Sequence, residues 1–236
     1  MNDLLALPRE WLASTGEIAR FTSQIVGDVY GMRVFRFFGE ALRQAGILIV
    51  GSTLVIWSLV FITGLGTCGI EAAYFNQSVG APTYAGVFAA WCNLREAVPY
   101  AFGYMMAAKV GTGIVAELGA MRISEEIDAL QVMGIDSVTF LCATRLLAAW
   151  IVLPFMYLAA IGVAYLASYI AVVNQIGFVS SGGYLLIFWQ FQNAPDLLYS
   201  VIKGMFMATA IVLVTLIGML GTQVFWGANP RAPIGG

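Results

Sequence analysis

Long apolar intervals bounded by charged residues predict helices that cross a membrane. Residues 44–70 carry no charge, and at about 1.5 Å per residue they are long enough to cross a hydrocarbon core of about 30 Å. Residues 146–195 are also uncharged but too long for one helix, and a polar cluster near 174–183 divides them. The pattern therefore predicts a first span at 44–70, a third at 142–173 and a fourth at 197–221.

Two further apolar intervals are less regular. Residues 82–117 are interrupted by Arg95, Glu96 and Lys109, and we expect one long, strained second span there rather than two short ones. The aromatic stretch YLLIFWQFQ at 184–192 is too short to cross a bilayer. Its composition is typical of a helix at a membrane face, where tyrosine and tryptophan are enriched. Because this stretch follows the third span, we expect that face to be the outer one.

Arginine is concentrated on one side of these predicted spans. The connecting segments 71–81 and 174–196 contain neither lysine nor arginine. Because basic residues accumulate in cytoplasmic loops, we expect the N-terminal segment 1–30, the C-terminal segment 222–236 and the connection after the second span in the cytoplasm. The basic residues on this side are Arg9, Arg20, Arg33, Arg36, Arg43, Arg122, Arg145 and Arg231.

A polar stripe precedes the first span. In residues 31–44, Arg33, Arg36, Glu40 and Arg43 recur every three or four residues, opposite a face rich in phenylalanine. This spacing predicts an amphipathic helix that lies in the cytoplasmic interface of the membrane. A helix packed against protein would show the same pattern.

Small residues recur every four positions near the end of the second span. They favour close packing against another helix, and we expect Gly119 to end or bend the span there. The recurring small residues are Ala108, Thr112, Ala116 and Ala120.

A short helix is predicted near 124–133, after the second span. Ser124 is a suitable N-cap, acidic residues follow in the first turn, and Gly134 suits the C-terminal stop. This helix is either a solvated connector or a coupling helix that inserts into a groove of a cytoplasmic partner, with Ile127 and Leu130 as anchors. Its apolar stripe consists of Ile123, Ile127, Leu130 and Met133.

The composition places the chain in a membrane. Of its 236 residues 60% are hydrophobic and 10% are charged, and the mean hydropathy is +0.85. The net charge of −2 is too small to indicate nucleic-acid binding. Three cysteines without metal-ligand spacing and the absence of histidine argue against a disulfide framework, a metal site and histidine chemistry, so we expect no cofactor. The N-terminal MNDLLALPREW is not typical of a cleaved signal peptide.

Charges inside the predicted spans need a reason, because each costs about 2.5 to 3.5 kcal/mol on insertion scales. Arg95 and Glu96 are adjacent and point about 100° apart on a helix, so they do not simply pair with each other. They form either salt bridges between helices or contacts with lipid headgroups. Lys203 is expected to contact an anionic headgroup, with snorkelling to the interface as the alternative.

Several motifs together resemble the MlaE/YrbE family, the permease subunits of ABC transporters that work with MCE (mammalian cell entry) proteins. The core is GTGIVAELGAMRISEEIDALQVMGID, and the other matching stretches are LREAVP, ATRLLAAWIVLP and IKG together with Lys109. The resemblance covers roughly residues 31–221. It implies a dimeric permease, with an identical or a paralogous second copy, in the bacterial cytoplasmic membrane.

The resemblance also implies partners. ABC ATPase subunits would bind the helix after the second span, and lipids would pass to or from MCE proteins on the outer side. The chain has no phosphate-binding GxxxxGK[ST] motif, so we expect no enzyme activity of its own. We assign ATPase coupling to Glu117, Arg122, Glu125, Glu126, Ile127, Asp128 and Leu130. We assign the lipid pathway to Arg95, Glu96, Lys109 and Lys203.

Three features depart from the family pattern. Ser137 stands where proline is usual, Glu126 stands where glutamine is often found, and the family's fifth span has no counterpart before the ending NPRAPIGG. We therefore expect an all-α integral membrane protein with about four spans, whose permease domain covers 31–221.

Two functions from different classes are compatible with these observations. The first is a lipid-transporting ABC permease. The second is a secondary transporter or channel with an ion path lined by Arg95, Glu96 and Lys109. Many secondary transporters contain inverted repeats, and the element ELGAMR has no counterpart in the other half of the chain.

Overall fold

All secondary structure is helical in the residues that this computed structural model describes, which are 3–221 with side chains from 15 to 219. The predicted segment 222–236, with Arg231, and the side chain of Arg9 lie outside them. The α-helices of this range are α1 (Asp3–Tyr30), α2 (Phe38–Leu65), α3 (Ala72–Ser78), α4 (Ala85–Cys92), α5 (Val98–Met105), α6 (Thr112–Ile123), α7 (Glu126–Val132), α8 (Thr144–Tyr169), α9 (Ser181–Gln190) and α10 (Ala194–Gly221).

In the described range, three helical runs are long and apolar enough to cross a membrane. They are Arg33–Ser78, Thr139–Ile176 and Ala194–Met219, and they confirm the predicted first, third and fourth spans by length and composition. The protein is therefore a multi-pass membrane protein. The first and third runs extend beyond the predicted bounds because π-helical segments, Gly66–Glu71 and Ile170–Ile176, continue α2 and α8.

The predicted second span forms one helical run, as expected, but it is the least regular of the four. Starting with a 3₁₀ turn at Pro82–Tyr84, it passes through two π-helical segments, Asn93–Ala97 and Met106–Gly111, before α6. Such segments occur often at functional sites. Gly119 does not end the run, because α6 continues to Ile123. That this run crosses the membrane remains a prediction.

The described helices belong to two compact units. Among the described residues, the first comprises 3–45, 111–149 and 210–221, and the second comprises 46–110 and 150–209. Because the unit boundaries fall inside α2, α8 and α10, each of these helices contributes residues to both units.

In the first unit, α1 is a long helix for which the sequence predicted only a cytoplasmic segment. Asp28 on α1 accepts a hydrogen bond from the Thr139 hydroxyl at 2.6 Å, and Phe37 packs edge-to-face on Phe140. Apolar α1 residues at helical spacing are buried, as expected for an amphipathic helix packed on protein. These residues are Phe21, Ile25 and Val29.

The separate amphipathic helix predicted at 31–44 is not observed. Met32 adopts a left-handed conformation, Arg33–Phe37 forms a 3₁₀ turn, and α2 begins at Phe38. Gln44 is buried, and its side chain donates to Glu40 and Glu117. Residues 38–44 are instead the first turns of α2, and that the polar stripe lies in the cytoplasmic interface stays a prediction.

The second unit has a core of alanine and aromatic side chains. The short helix predicted at 184–192 is α9, which begins after Ser180, whose hydroxyl caps it by accepting from the Gly183 amide. Tyr184 and Phe188 of α9 are buried in this core, and burial raises the pKa of the Tyr184 phenol, which therefore stays neutral. That α9 lies at the outer membrane face stays a prediction.

The second unit also contains a disulfide, contrary to the expectation from sequence. Cys68 in the π-helical segment after α2 is bonded to Cys92 at the end of α4, with their Cα atoms 5.6 Å apart. Cys142 is a buried free thiol. The expectation was wrong because the odd cysteine count hid one bonded pair and one buried, apolar cysteine.

Candidate functional site

The second unit holds a mainly apolar cavity of about 420 Å³ between α2 and the segment from Cys92 to Tyr104. Its volume lies in the range of small-molecule sites, which are typically apolar with a few polar groups. The lining residues from the first run are Leu59, Thr63 and Thr67. The lining residues from the second run are Cys92, Glu96, Ala97, Tyr100, Ala101 and Tyr104.

Two tyrosines give this cavity a polar edge that the sequence analysis missed. The Tyr104 hydroxyl donates to the Tyr100 hydroxyl at 2.8 Å, and the two rings meet edge-to-face with centroids 4.6 Å apart. Their four-residue spacing on one helix was visible in the sequence. Only the fold shows that this helix face lines a cavity.

A cluster of four charged side chains adjoins the cavity through Glu96. Arg95 pairs with Asp196 at the start of α10 at 2.9 Å, and its guanidinium stacks 4.7 Å above the ring centre of Trp91. The Lys203 ammonium lies 3.2 Å from a Glu96 carboxylate oxygen and donates to the Arg95 carbonyl at 2.7 Å. We call Arg95, Glu96, Asp196 and Lys203 the charge cluster.

The structure thus brings together three of the four predicted pathway residues. Arg95, Glu96 and Lys203 meet in the charge cluster, whereas Lys109 is exposed in the next π-helical segment and does not line the cavity. Lys203 already has a carboxylate partner in Glu96, and its contact with an anionic headgroup stays a prediction. Asp196, which sequence reasoning left unassigned, makes the cluster electrically neutral.

In the first unit, α7 is the predicted short helix, although its start differs from the prediction. Ser124 does not cap it: its hydroxyl donates to the Ala120 carbonyl at the end of α6, and α7 begins at Glu126 after Glu125 in a left-handed conformation. The predicted stop at Gly134 is confirmed, with a φ of 73° that favours glycine. Arg122 pairs with Asp128 across the turn between the two helices.

The burial of the apolar residues on and beside α7 differs from the prediction. Ile127 is fully buried inside the chain, so as placed here it cannot anchor a partner, and Leu130 is half-buried. The exposed apolar side chains are Val132, Met133 and, on α6, Ile123, of which Val132 is 89% exposed. Helical periodicity gave the stripe but could not show which part of it packs on the chain itself.

A buried arginine links three helices of the first unit. Arg145, with 4% of its side chain exposed, lies 2.9 Å from Glu117 on α6 and donates to the Leu141 carbonyl at 2.7 Å. Glu117 also accepts from the Gln44 side chain of α2 at 3.3 Å, and Gln44 donates to Glu40. Glu117 was predicted as a coupling residue, whereas Arg145 was noted only as a cytoplasmic charge.

Comparisons with known proteins give a consistent result. The family described as Permease MlaE matches residues 41–223. A probable ABC transporter permease protein of Rickettsia bellii is 34% identical over 110 residues, which cover 47% of this chain and 42% of that protein. The chain therefore matches less than half the length of that relative.

Two other relatives extend this result. The intermembrane phospholipid transport system permease protein MlaE of Haemophilus influenzae is 25% identical over 222 residues, covering 92% of this chain and 83% of that protein. The chloroplastic protein TRIGALACTOSYLDIACYLGLYCEROL 1 of Arabidopsis thaliana is 30% identical over 118 residues, covering 49% and 31%. The family match over residues 41–223 includes α7 and residues of all three long runs.

Proposed function

This chain belongs to the Permease MlaE family, and from that premise we propose that it is the transmembrane subunit of an ABC transporter that moves phospholipids. The observation that carries the proposal is the family match over residues 41–223, which include the cavity, the charge cluster and α7. The alternative of an ion path is less well supported, since Arg95 and Glu96 are each held in an ion pair.

An ATPase partner would dock on the surface around α7. Val132, Met133 and Ile123 are exposed apolar side chains close to the exposed acids Glu125 and Glu126. A helix that presents apolar anchors beside charges suits insertion into a groove of a partner. In this proposal Val132 and Met133 replace Ile127 as anchors, and ATP hydrolysis belongs to the partner subunit.

The lipid would enter the cavity of the second unit. Apolar walls suit acyl chains, and the charge cluster, which adjoins the cavity through Glu96, suits a polar headgroup. Lys203 donates two hydrogen bonds to Arg95 and Glu96, so one of its three N–H groups is left for a headgroup phosphate. The family resemblance supplies the rest of the proposal. The chain would lie in the bacterial cytoplasmic membrane beside a second permease copy, with MCE proteins as partners on the outer side.

ATP hydrolysis with and without the partner tests the proposal. The purified chain alone should not hydrolyse ATP, and its complex with the ATPase subunit should hydrolyse ATP at a rate that phospholipid vesicles change. Ion flux through the chain alone in vesicles, without ATP, would support the ion-path alternative instead. A complex whose ATP turnover is indifferent to phospholipid would contradict lipid transport.

A further inference from the structure

The disulfide joins the two walls of the cavity at one end. Thr67 and Cys92 both line the cavity, and Cys68 follows Thr67 directly on the first wall. Leu59, the lining residue farthest from Cys68 on that wall, lies about 13 Å away along the helix at 1.5 Å per residue. The two walls are therefore bonded covalently near Thr67 and are not bonded in this way near Leu59.

Packing against a third helical run holds the bonded end in place. A methyl group at Gly69 would lie 2.5 Å from the Cβ of Ala171, so the first wall touches that run almost backbone to backbone. Beside Cys92, the buried Asn93 amide donates to the Ser168 hydroxyl at 2.8 Å. Both partners of the disulfide are thus held against the same stretch, 168–171.

We propose that the Cys68–Cys92 disulfide is a hinge pin that keeps the cavity closed at its Thr67 end and confines its opening to the Leu59 end. A single covalent bond between the two walls allows them to rotate about it but not to separate there. Access to the cavity then depends on the oxidation state of two cysteines. This inference concerns the cavity's shape and holds whether or not the occupant is a phospholipid.

Formation of the pin requires an oxidising compartment. The two thiols lose two electrons and two protons to a disulfide oxidant, which becomes a dithiol, through exchange of the bond between sulfur atoms. Disulfides persist outside the cytoplasm and are rare within it. The pinned end of the cavity therefore faces away from the cytoplasm, which agrees with the absence of lysine and arginine from segment 71–81.

The first test asks whether the bond exists in the protein as made by cells. Intact cells are treated with a membrane-permeable thiol-blocking reagent before lysis, and peptides of the full chain are analysed without reduction. We expect Cys68 and Cys92 in one linked peptide pair and Cys142 as a blocked or buried thiol. Recovery of Cys68 and Cys92 as blocked thiols would overturn the proposal.

The second test measures wall separation at both ends. Spin labels carried by noncanonical amino acids at Thr67 and Phe88 report on the pinned end, and labels at Ser58 and Tyr104 report on the other end. All four side chains are at least partly accessible. We expect a narrow distance distribution at the pinned end and a broader one at the other end.

Loss of the disulfide should remove the difference between the distance distributions at the two ends. In the double variant Cys68→Ser with Cys92→Ser, the pinned-end distribution should broaden several-fold, whereas Cys142→Ala, which removes a cysteine but no bond, should leave it unchanged. Should the double variant not fold, a trialkylphosphine applied to the wild-type protein gives the same readout, because with water it yields two thiols and the phosphine oxide. An unchanged pinned-end distribution after loss of the bond would overturn the hinge pin.

Because these distances are measured without ATP or an ATPase, the outcome is independent of transport. A pinned cavity in a complex that does not respond to phospholipid would contradict the proposed function and leave the hinge intact. A freely opening cavity in a lipid-responsive complex would do the reverse.

Discussion

One ion pair of the first unit and the charge cluster of the second unit differ in how exposed their cations are. In the first unit Arg145 is 4% exposed and pairs with Glu117, which is 39% exposed. In the second unit Arg95 and Lys203 are 48% and 46% exposed, and Glu96, the partner of Lys203, is 78% exposed. One pair is built into the packing, and the others can exchange partners.

This difference in exposure indicates which ion pair stabilises the fold and which pairs are free to serve the proposed transport. A buried ion pair that loses one member leaves an uncompensated charge, whereas an exposed pair contributes about 0–1 kcal/mol. The Arg145 pair therefore holds α2, α6 and α8 together within the first unit. For the proposed transport, the charge cluster is the better candidate for a headgroup contact, because breaking its exposed pairs would cost little.

The largest effect is expected from Glu117→Gln. Arg145, with 4% of its side chain exposed, would lose its carboxylate partner, and removal of one member of a buried pair costs up to about 3–5 kcal/mol. Thermal unfolding of the purified protein in detergent should show a lowered midpoint. Addition of Arg145→Met should recover part of the loss, and a Glu117→Gln variant as stable as wild type would show that the pair is not structural.

A slightly smaller effect is expected from Cys68→Ser. The disulfide closes a loop with a sequence separation of 24, for which loop entropy gives about 3 kcal/mol. If the disulfide stabilises the second unit, the unfolding midpoint of the variant should equal that of the wild type measured under strong reductant. Equal stability of the oxidised wild type and the variant would contradict this.

Most of the fold could be predicted because its signal is local. Three apolar intervals are long enough to span a bilayer, and helical runs occupy each of them. The place of α7 and its end at Gly134 followed from acidic and glycine residues at helix-terminal positions. Helix ends near π-helical segments were less accurate, since no composition signal marks where such a segment continues a helix.

The partners of the charges and cysteines could not be predicted because they are not local. Arg95 pairs with a residue 101 positions away, and Lys203 with one 107 positions away. Three cysteines allow three different single bonds, and nothing in their spacing favours Cys68 with Cys92. The orientation of Ile127 likewise depends on which side of α7 meets its own chain.

A small effect on stability but a large one on activity is expected from Lys203→Gln. The exposed pair with Glu96 contributes at most about 1 kcal/mol, so the unfolding midpoint should change little. The N–H group left for a phosphate loses its positive charge, so phospholipid-dependent ATP turnover of the complex should fall. Unchanged turnover, together with no crosslink from position 203 to a photoreactive phospholipid, would leave Lys203 as a purely structural partner of Glu96.

The smallest effect on stability is expected on the surface of α7. Val132 is 89% exposed and packs little on its own chain, so Val132→Asp should leave the unfolding midpoint nearly unchanged. Burial of this side chain in a partner groove would contribute about 1.5 kcal/mol or more, and a buried carboxylate would cost further. The variant should therefore lose the ATPase during co-purification while remaining in the membrane.

Substitutions at two neighbours of Val132 show whether the lost apolar side chain or the added charge causes the loss of the ATPase. Gln131→Glu adds the same negative charge to the same exposed helix without removing an apolar side chain, and it should retain the ATPase. Leu130→Asp is less informative, because Leu130 is half-buried and its replacement would destabilise the chain itself. Retention of the ATPase by Val132→Asp at the wild-type ratio would show that α7 is a connector, and loss in both Val132→Asp and Gln131→Glu would indicate repulsion between charges and not a lost apolar anchor.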